Sequence, residues 1–271
     1  FGSSVSISGD YAIVGNIETG NTNDSGSAYI YVRSETTWSQ QQKITPSDGS
    51  GSDNFGWSVS LSGDYAIVGA FNKNSATGAA YIYTRNGTTW SQQQKIEASD
   101  KATSDNFGWS VSISGDYAIV GAVNEDPGGT SDAGAAYVYK RDGTTWTQEF
   151  KFQASDKQDS DKFGESVSIS GNRVVVGANL EDTGGSNAGA AYIFERSGTT
   201  WTEVKKIVAS DAAASDEFGV SVAIDGTTAV VGARSEDTKG SNAGAAYVYE
   251  KVNVLDFDTY NKLTFTGLES G

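Results

Sequence analysis

Aspartates recur in pairs five residues apart: Asp48 and Asp53, Asp100 and Asp105, Asp156 and Asp161, Asp211 and Asp216. Carboxylate oxygen is a ligand for hard cations, and Ca²⁺ takes six to eight oxygens, so such a pair with backbone carbonyls and water could form a weak calcium site. The same aspartates could equally shape turns, because Asp side chains bond nearby backbone in loops. A second acidic set, Glu125, Asp126, Asp132, Glu181, Asp182, Glu236 and Asp237, lies in longer polar stretches and could form a ligand-binding face. Histidine and cysteine are both absent. That removes the commonest general base, imidazole and thiolate metal ligands, thiol nucleophiles and disulfides together. No glycine-rich phosphate cradle or G-x-S-x-G elbow occurs either. The expectation is a non-catalytic protein, with a carboxylate pair acting on glycosides as the one remaining route to catalysis.

Positioning these acids requires a repeated scaffold, and the chain supplies one. "FGWSVSISGDYAIVGA" (107–122) restates "FGWSVSLSGDYAIVGA" (55–70) with one change, and related segments begin at Phe1, Phe163 and Phe218. The repeats are 1–54, 55–106, 107–162, 163–217 and 218–271. In the third, "WSVSISG" alternates with period two, placing Trp109, Val111 and Ile113 on one face and Ser110, Ser112 and Ser114 on the other, as a strand does. "YAIVGA" reads as a strand covered on both faces, "AAYVYKR" as a third and "WTQEFKFQ" as a fourth. The tail "FDTYNKLTF" supplies the fourth strand of the last repeat, with Phe257 where the others carry Trp. Four antiparallel strands in a repeat of this length make a propeller blade, so the prediction is all-β: a five-bladed β-propeller with four antiparallel strands per blade. Gly69, Gly121, Gly177 and Gly232 are expected to admit a neighbouring sheet. Ring closure is expected from face packing of blade one against blade five.

These residues, "FGxSVSISGDYAIVGA" followed by "GAAYVYxRxGTTWxxxxKIxASDxxxSD", resemble the FG-GAP repeats of large extracellular proteins and, more distantly, the propeller of integrin α subunits. The resemblance spans the chain. It implies a β-propeller, an extracellular or cell-surface setting, and adhesion or ligand binding. Integrin-type repeats carry an acidic calcium loop between the first two strands, but here that connection is only "SGDY", "SGNR" or "DGTT", so Asp10, Asp64, Asp116 and Asp225 are not assigned that role.

In an up-and-down blade the loops joining strands two and three share one end with those joining successive blades. Twenty acids and six bases fall in these loops, so that end carries −14 of the chain's net −15. This charge repels phosphate backbones, so nucleic acid is not an expected partner. No apolar run is long enough to cross a bilayer. The acidic end reads either as a solvated surface or as a docking face for a protein or polysaccharide, in an adhesive or structural module that could belong to a larger multidomain chain. The alternative is a glycan-binding propeller. Against it, Phe71 is the lone aromatic in the longer loops, although Trp57 and Trp109, where other repeats have Ser3, Glu165 and Val220, could reach the channel mouth. Asn23 and Asn86 stand in glycosylation triplets.

Overall fold

The computed structural model describes residues 1–17, 25–238 and 240–251, and the backbone of 259–263. Five four-stranded antiparallel meanders stand in sequence order, each pairing first strand to second, second to third and third to fourth. In blade three these are Phe107–Ser114, Tyr117–Ala122, Ala135–Asp142 and Thr145–Phe152. Thr259–Leu263 pairs with Ala245–Glu250 as the fourth strand of blade five, as the tail predicts. Phe257, Glu269, Glu18, Asp24 and Asn23 lie outside the described residues.

Period-two patterning in the first strand does two jobs. Val111 and Ile113 are buried between sheets. The alternate serines face the next blade: Ser58 and Ser60 Oγ accept the Val111 and Ile113 amides at 3.0 and 3.2 Å, as Ser4 and Ser6 do from Val59 and Leu61. Serine is required because an inner strand has no further sheet neighbour on that side, and a buried N–H without an acceptor costs about 1–3 kcal/mol. The fourth strands are tied similarly, Gln94 exchanging two hydrogen bonds with the Trp146 backbone. From the second blade on, each "FG" phenylalanine tucks under the preceding blade, where Gly26, Gly78, Gly134 and Gly189 bridge Phe55, Phe107, Phe163 and Phe218. Gly121 needs no unusual backbone angle, yet a Cβ there would overlap the Gly164 carbonyl oxygen of the next blade; the role is close approach alone.

Four seams repeat this packing. Among the described residues the fifth, between blades five and one, does not, and the expected closure is corrected accordingly. Phe1 is 71% exposed whereas Phe55, Phe107, Phe163 and Phe218 are at 0%, and Val5 is 68% exposed against 5% for Val59. Ile7 and Trp38 are exposed too. Among the described residues no bridge joins Gly244 to Phe1. Gly232 meets no other blade, its nearest neighbour being Ser221 of its own first strand at 3.7 Å. Blade five also carries Ala223 where Ser60, Ser112 and Ser168 stand, so the acceptor that would receive an Ile7 amide is missing.

Candidate binding face and channel mouth

The two members of each aspartate pair turn to different partners. Asp105, Asp161 and Asp216 are buried, and each closes a four-residue turn by accepting the amide three residues back, from Ala102, Gln158 and Ala213 at 2.5, 2.6 and 2.8 Å; Asp53 does the same for Ser50. Burial, followed by like charges nearby, raises the pKa values of Asp105, Asp161 and Asp216 against the help of the turn amide, with Asp161 pushed up to about 6. The earlier aspartates instead receive a tyrosine hydroxyl from the third strand: Tyr81 to Asp48 at 2.7 Å, Tyr137 to Asp100 at 2.9 Å, Tyr192 to Asp156 at 2.8 Å and Tyr247 to Asp211 at 2.8 Å. Lys95, Lys151 and Lys206 from the fourth strands bind the first three of these at 3.0, 2.7 and 2.6 Å. Burial alone would raise the carboxyls of Asp48, Asp100 and Asp156, but these bonds win and hold them below the usual range. A charge count by loop misses this neutralisation, because the lysines belong to strands. Among the described residues no three acidic side chains are grouped so as to hold a metal ion.

The second acidic set divides between base and surface. Glu125, Glu181 and Glu236 are buried beneath the loops. Lys151 and Lys206 bind Glu125 and Glu181 at 2.6 and 2.8 Å, and the Thr183 and Thr238 amides bind Glu181 and Glu236 at 3.0 and 2.9 Å. Pro127 fills the corresponding place in blade three and has no N–H to donate, and Glu125 Oε2 is buried without a hydrogen-bond partner. Burial raises the Glu125 carboxyl, with Lys151 opposing. Blade two has Lys73 at this position, buried and bonded to Asp53 at 2.8 Å. Asp126, Asp182 and Asp237 are exposed and each accepts a loop amide, from Asp132, Asn187 and Asn242. Asp132 is partly exposed and pairs with Lys162 at 3.2 Å. At the opposite end the turn acids Asp10, Asp64 and Asp116 pair with Arg33, Arg85 and Arg141.

At the loop end the first strands enclose a cavity of about 510 Å³ whose rim is Ser3, Trp57, Trp109, Glu165 and Val220, one residue per blade. Phe71, just after the second strand of blade two, completes an aromatic group: Trp57 to Phe71 is 4.8 Å, Trp57 to Trp109 is 4.9 Å and Phe71 to Trp109 is 4.9 Å between ring centres. All three rings are partly exposed. Glu165 follows Trp109 around the rim, one blade on. Burial pushes the Glu165 carboxyl up; the nearby Trp109 indole, Arg234 and Lys162 oppose the shift, and Glu217 adds to it. Arg234 pairs with Glu217, and Lys162 donates to Asn124 at 2.7 Å. The rim therefore has an aromatic sector on blades two and three and a charge-balanced polar sector on blades four and five. Sequence reading placed Trp57 and Trp109 near the mouth; the contact with Phe71 was hidden because it joins a loop of one blade to strands of two.

The FG-GAP repeat family model matches residues 1–31, 38–83, 90–139, 146–194 and 201–249. After the first, each match runs from the fourth strand of one blade through the third strand of the next, so the matched unit straddles a seam. No curated protein matches the sequence.

Proposed function

Since the chain belongs to the FG-GAP repeat family, we propose that this propeller is a non-catalytic interaction module working outside the cell, at a surface or in an extracellular assembly. A partner protein docks on its loop end. The observation that carries this reading is the difference between the two ends: arginines pair Asp10, Asp64 and Asp116 at one, while Asp126, Asp182 and Asp237 stand exposed at the other with no ion pair among the described residues. Unpaired surface charge steers a complementary partner and weakens with salt. The test is binding of the labelled chain to cell-surface and matrix preparations from its source. Asp126→Asn, Asp182→Asn and Asp237→Asn together keep an acceptor for each loop amide and remove three charges; binding should weaken about tenfold or more and fall with added NaCl. Unchanged binding would sink the docking face. A second reading, glycan recognition, is favoured by the partly exposed Trp57, Phe71 and Trp109 group at the mouth.

A further inference from the structure

The rim residues differ from blade to blade in a way that packing does not require. The framework accepts Ser3, Glu165 and Val220 where blades two and three place indoles, so Trp57 and Trp109 are not needed to build a blade. Nor does the position of Phe71 demand an aromatic, since Val123, Asn179 and Arg234 follow the second strand in blades three to five. Two partly exposed indoles lining one sector of a polar cavity, backed by the Phe71 ring, are an apolar surface left facing solvent, the kind of surface that marks a ligand site. A cation gains little there, because Arg234 and Lys162 already oppose the charges of Glu165 and Glu217. A ligand with an apolar face and a polar edge fits both sectors.

We propose that the channel mouth binds one pyranosyl residue of a glycan: the C–H face of the ring lies against Trp57 and Trp109, and Glu165 accepts its hydroxyls. This rests on the glycan reading above and assigns its site. A volume of about 510 Å³ suits a small ligand. Charge-assisted hydrogen bonds to the carboxylate fix the orientation of the hydroxyls, and the indoles supply contact area at small entropic cost. Trp109 and Glu165 line the same cavity from adjacent blades, so a ring held on the indole has the carboxylate beside it.

The test is titration of the purified chain with a panel of methyl pyranosides, read by tryptophan fluorescence and calorimetry. At least one sugar should bind saturably with a dissociation constant of roughly 1 mM, as befits one residue on a shallow site. Trp57→Ser and Trp109→Val install residues that blades one and five already carry, and Glu165→Ala removes the acceptor. Each should weaken binding about tenfold with the far-UV spectrum unchanged, while Trp38→Ala should leave it unaltered. No response to any pyranoside, in solution or on a glycan array, overturns both this assignment and the glycan reading. Sugar binding that survives all three rim variants overturns the assignment and leaves the reading standing. Saturable binding of arginine amide in place of sugar overturns it in favour of a basic ligand.

Discussion

Substituting one glycine in a packed seam and its counterpart in the open one tests the least expected feature of the fold. At Gly121 a methyl group would overlap the Gly164 carbonyl oxygen and crowd Ser110 Oγ; the hydroxyl can turn aside, but the carbonyl cannot retreat without separating two sheets. Overpacking of this kind costs about 1–3 kcal/mol and sometimes more, and here the obstruction is backbone, so Gly121→Ala should lose about 3 kcal/mol. For a chain of this length each kcal/mol moves the melting temperature by about 2–4 °C, giving a fall of roughly 6–12 °C. Gly232 occupies the same strand position with its nearest neighbour at 3.7 Å. There alanine meets no obstacle and reduces the freedom of the unfolded chain, stabilising by about 0.4–1 kcal/mol. Paired thermal melts of Gly121→Ala and Gly232→Ala, followed by far-UV circular dichroism, should therefore diverge in sign. If Gly232→Ala melts as low as Gly121→Ala, blades five and one are packed in solution and the open seam is wrong.

Three further outcomes are expected. Pro127→Thr gives Glu125 the donors that Thr183 gives Glu181, and should raise stability by about 1 kcal/mol in chemical denaturation; no gain would mean that Glu125 Oε2 is satisfied in solution. The folded-state value of Asp161 is raised from an ordinary 3.8 to about 6, so the folded chain holds that proton more tightly. Its contribution is fully present below pH 3.8 and is lost as pH rises through 6, and Asp105 and Asp216 act in the same direction, whereas Asp48, Asp100 and Asp156, held low, oppose only at more acid pH. Melts between pH 7.5 and 5 should show stability rising as pH falls, with a smaller slope in Asp161→Asn; identical slopes would refute the assignment. Calcium, magnesium and sodium at matched ionic strength should give the same melting curve, because the paired aspartates are occupied by lysine, tyrosine and turn amides; a calcium-selective gain of about 1.4 kcal/mol per site at 10 mM, as a millimolar site requires, would reinstate the metal reading.

The blade was legible in the sequence because two periods coincide in it. Alternation in "WSVSIS" separates core from seam, and the recurrence of "FG" and "TTW" fixes four strands per copy. The turn role of the later aspartates was also open to reading, since "ASDxxxSD" has turn chemistry. Their partners were not. Tyr137 and Lys151 meet Asp100 through a register between strands and a blade-to-blade approach, which no local pattern encodes. Whether Glu125 stands on the acidic face or under it depends on the path of a loop, and loop paths leave only weak traces in composition. The open seam was missed because blade five repeats the motif almost completely; only Ala223, in place of serine, hinted that the series of hydroxyl acceptors ends there.

A ring of blades fixes its own circumference, whereas an arc joined at four places has one mode of motion that a ring lacks: its two ends can part or approach without breaking any contact between neighbours. The bore of the channel then varies with the angle between blades one and five, and strain applied to either end travels to the other along a single route through every intervening blade. Trp57, Trp109 and Glu165 sit on blades two, three and four, the three whose seams are all packed. A change in that angle would alter the bore while the groups lining the far side of the channel keep their spacing, so the width of the opening and the geometry of the proposed site would depend on different parts of one small disc.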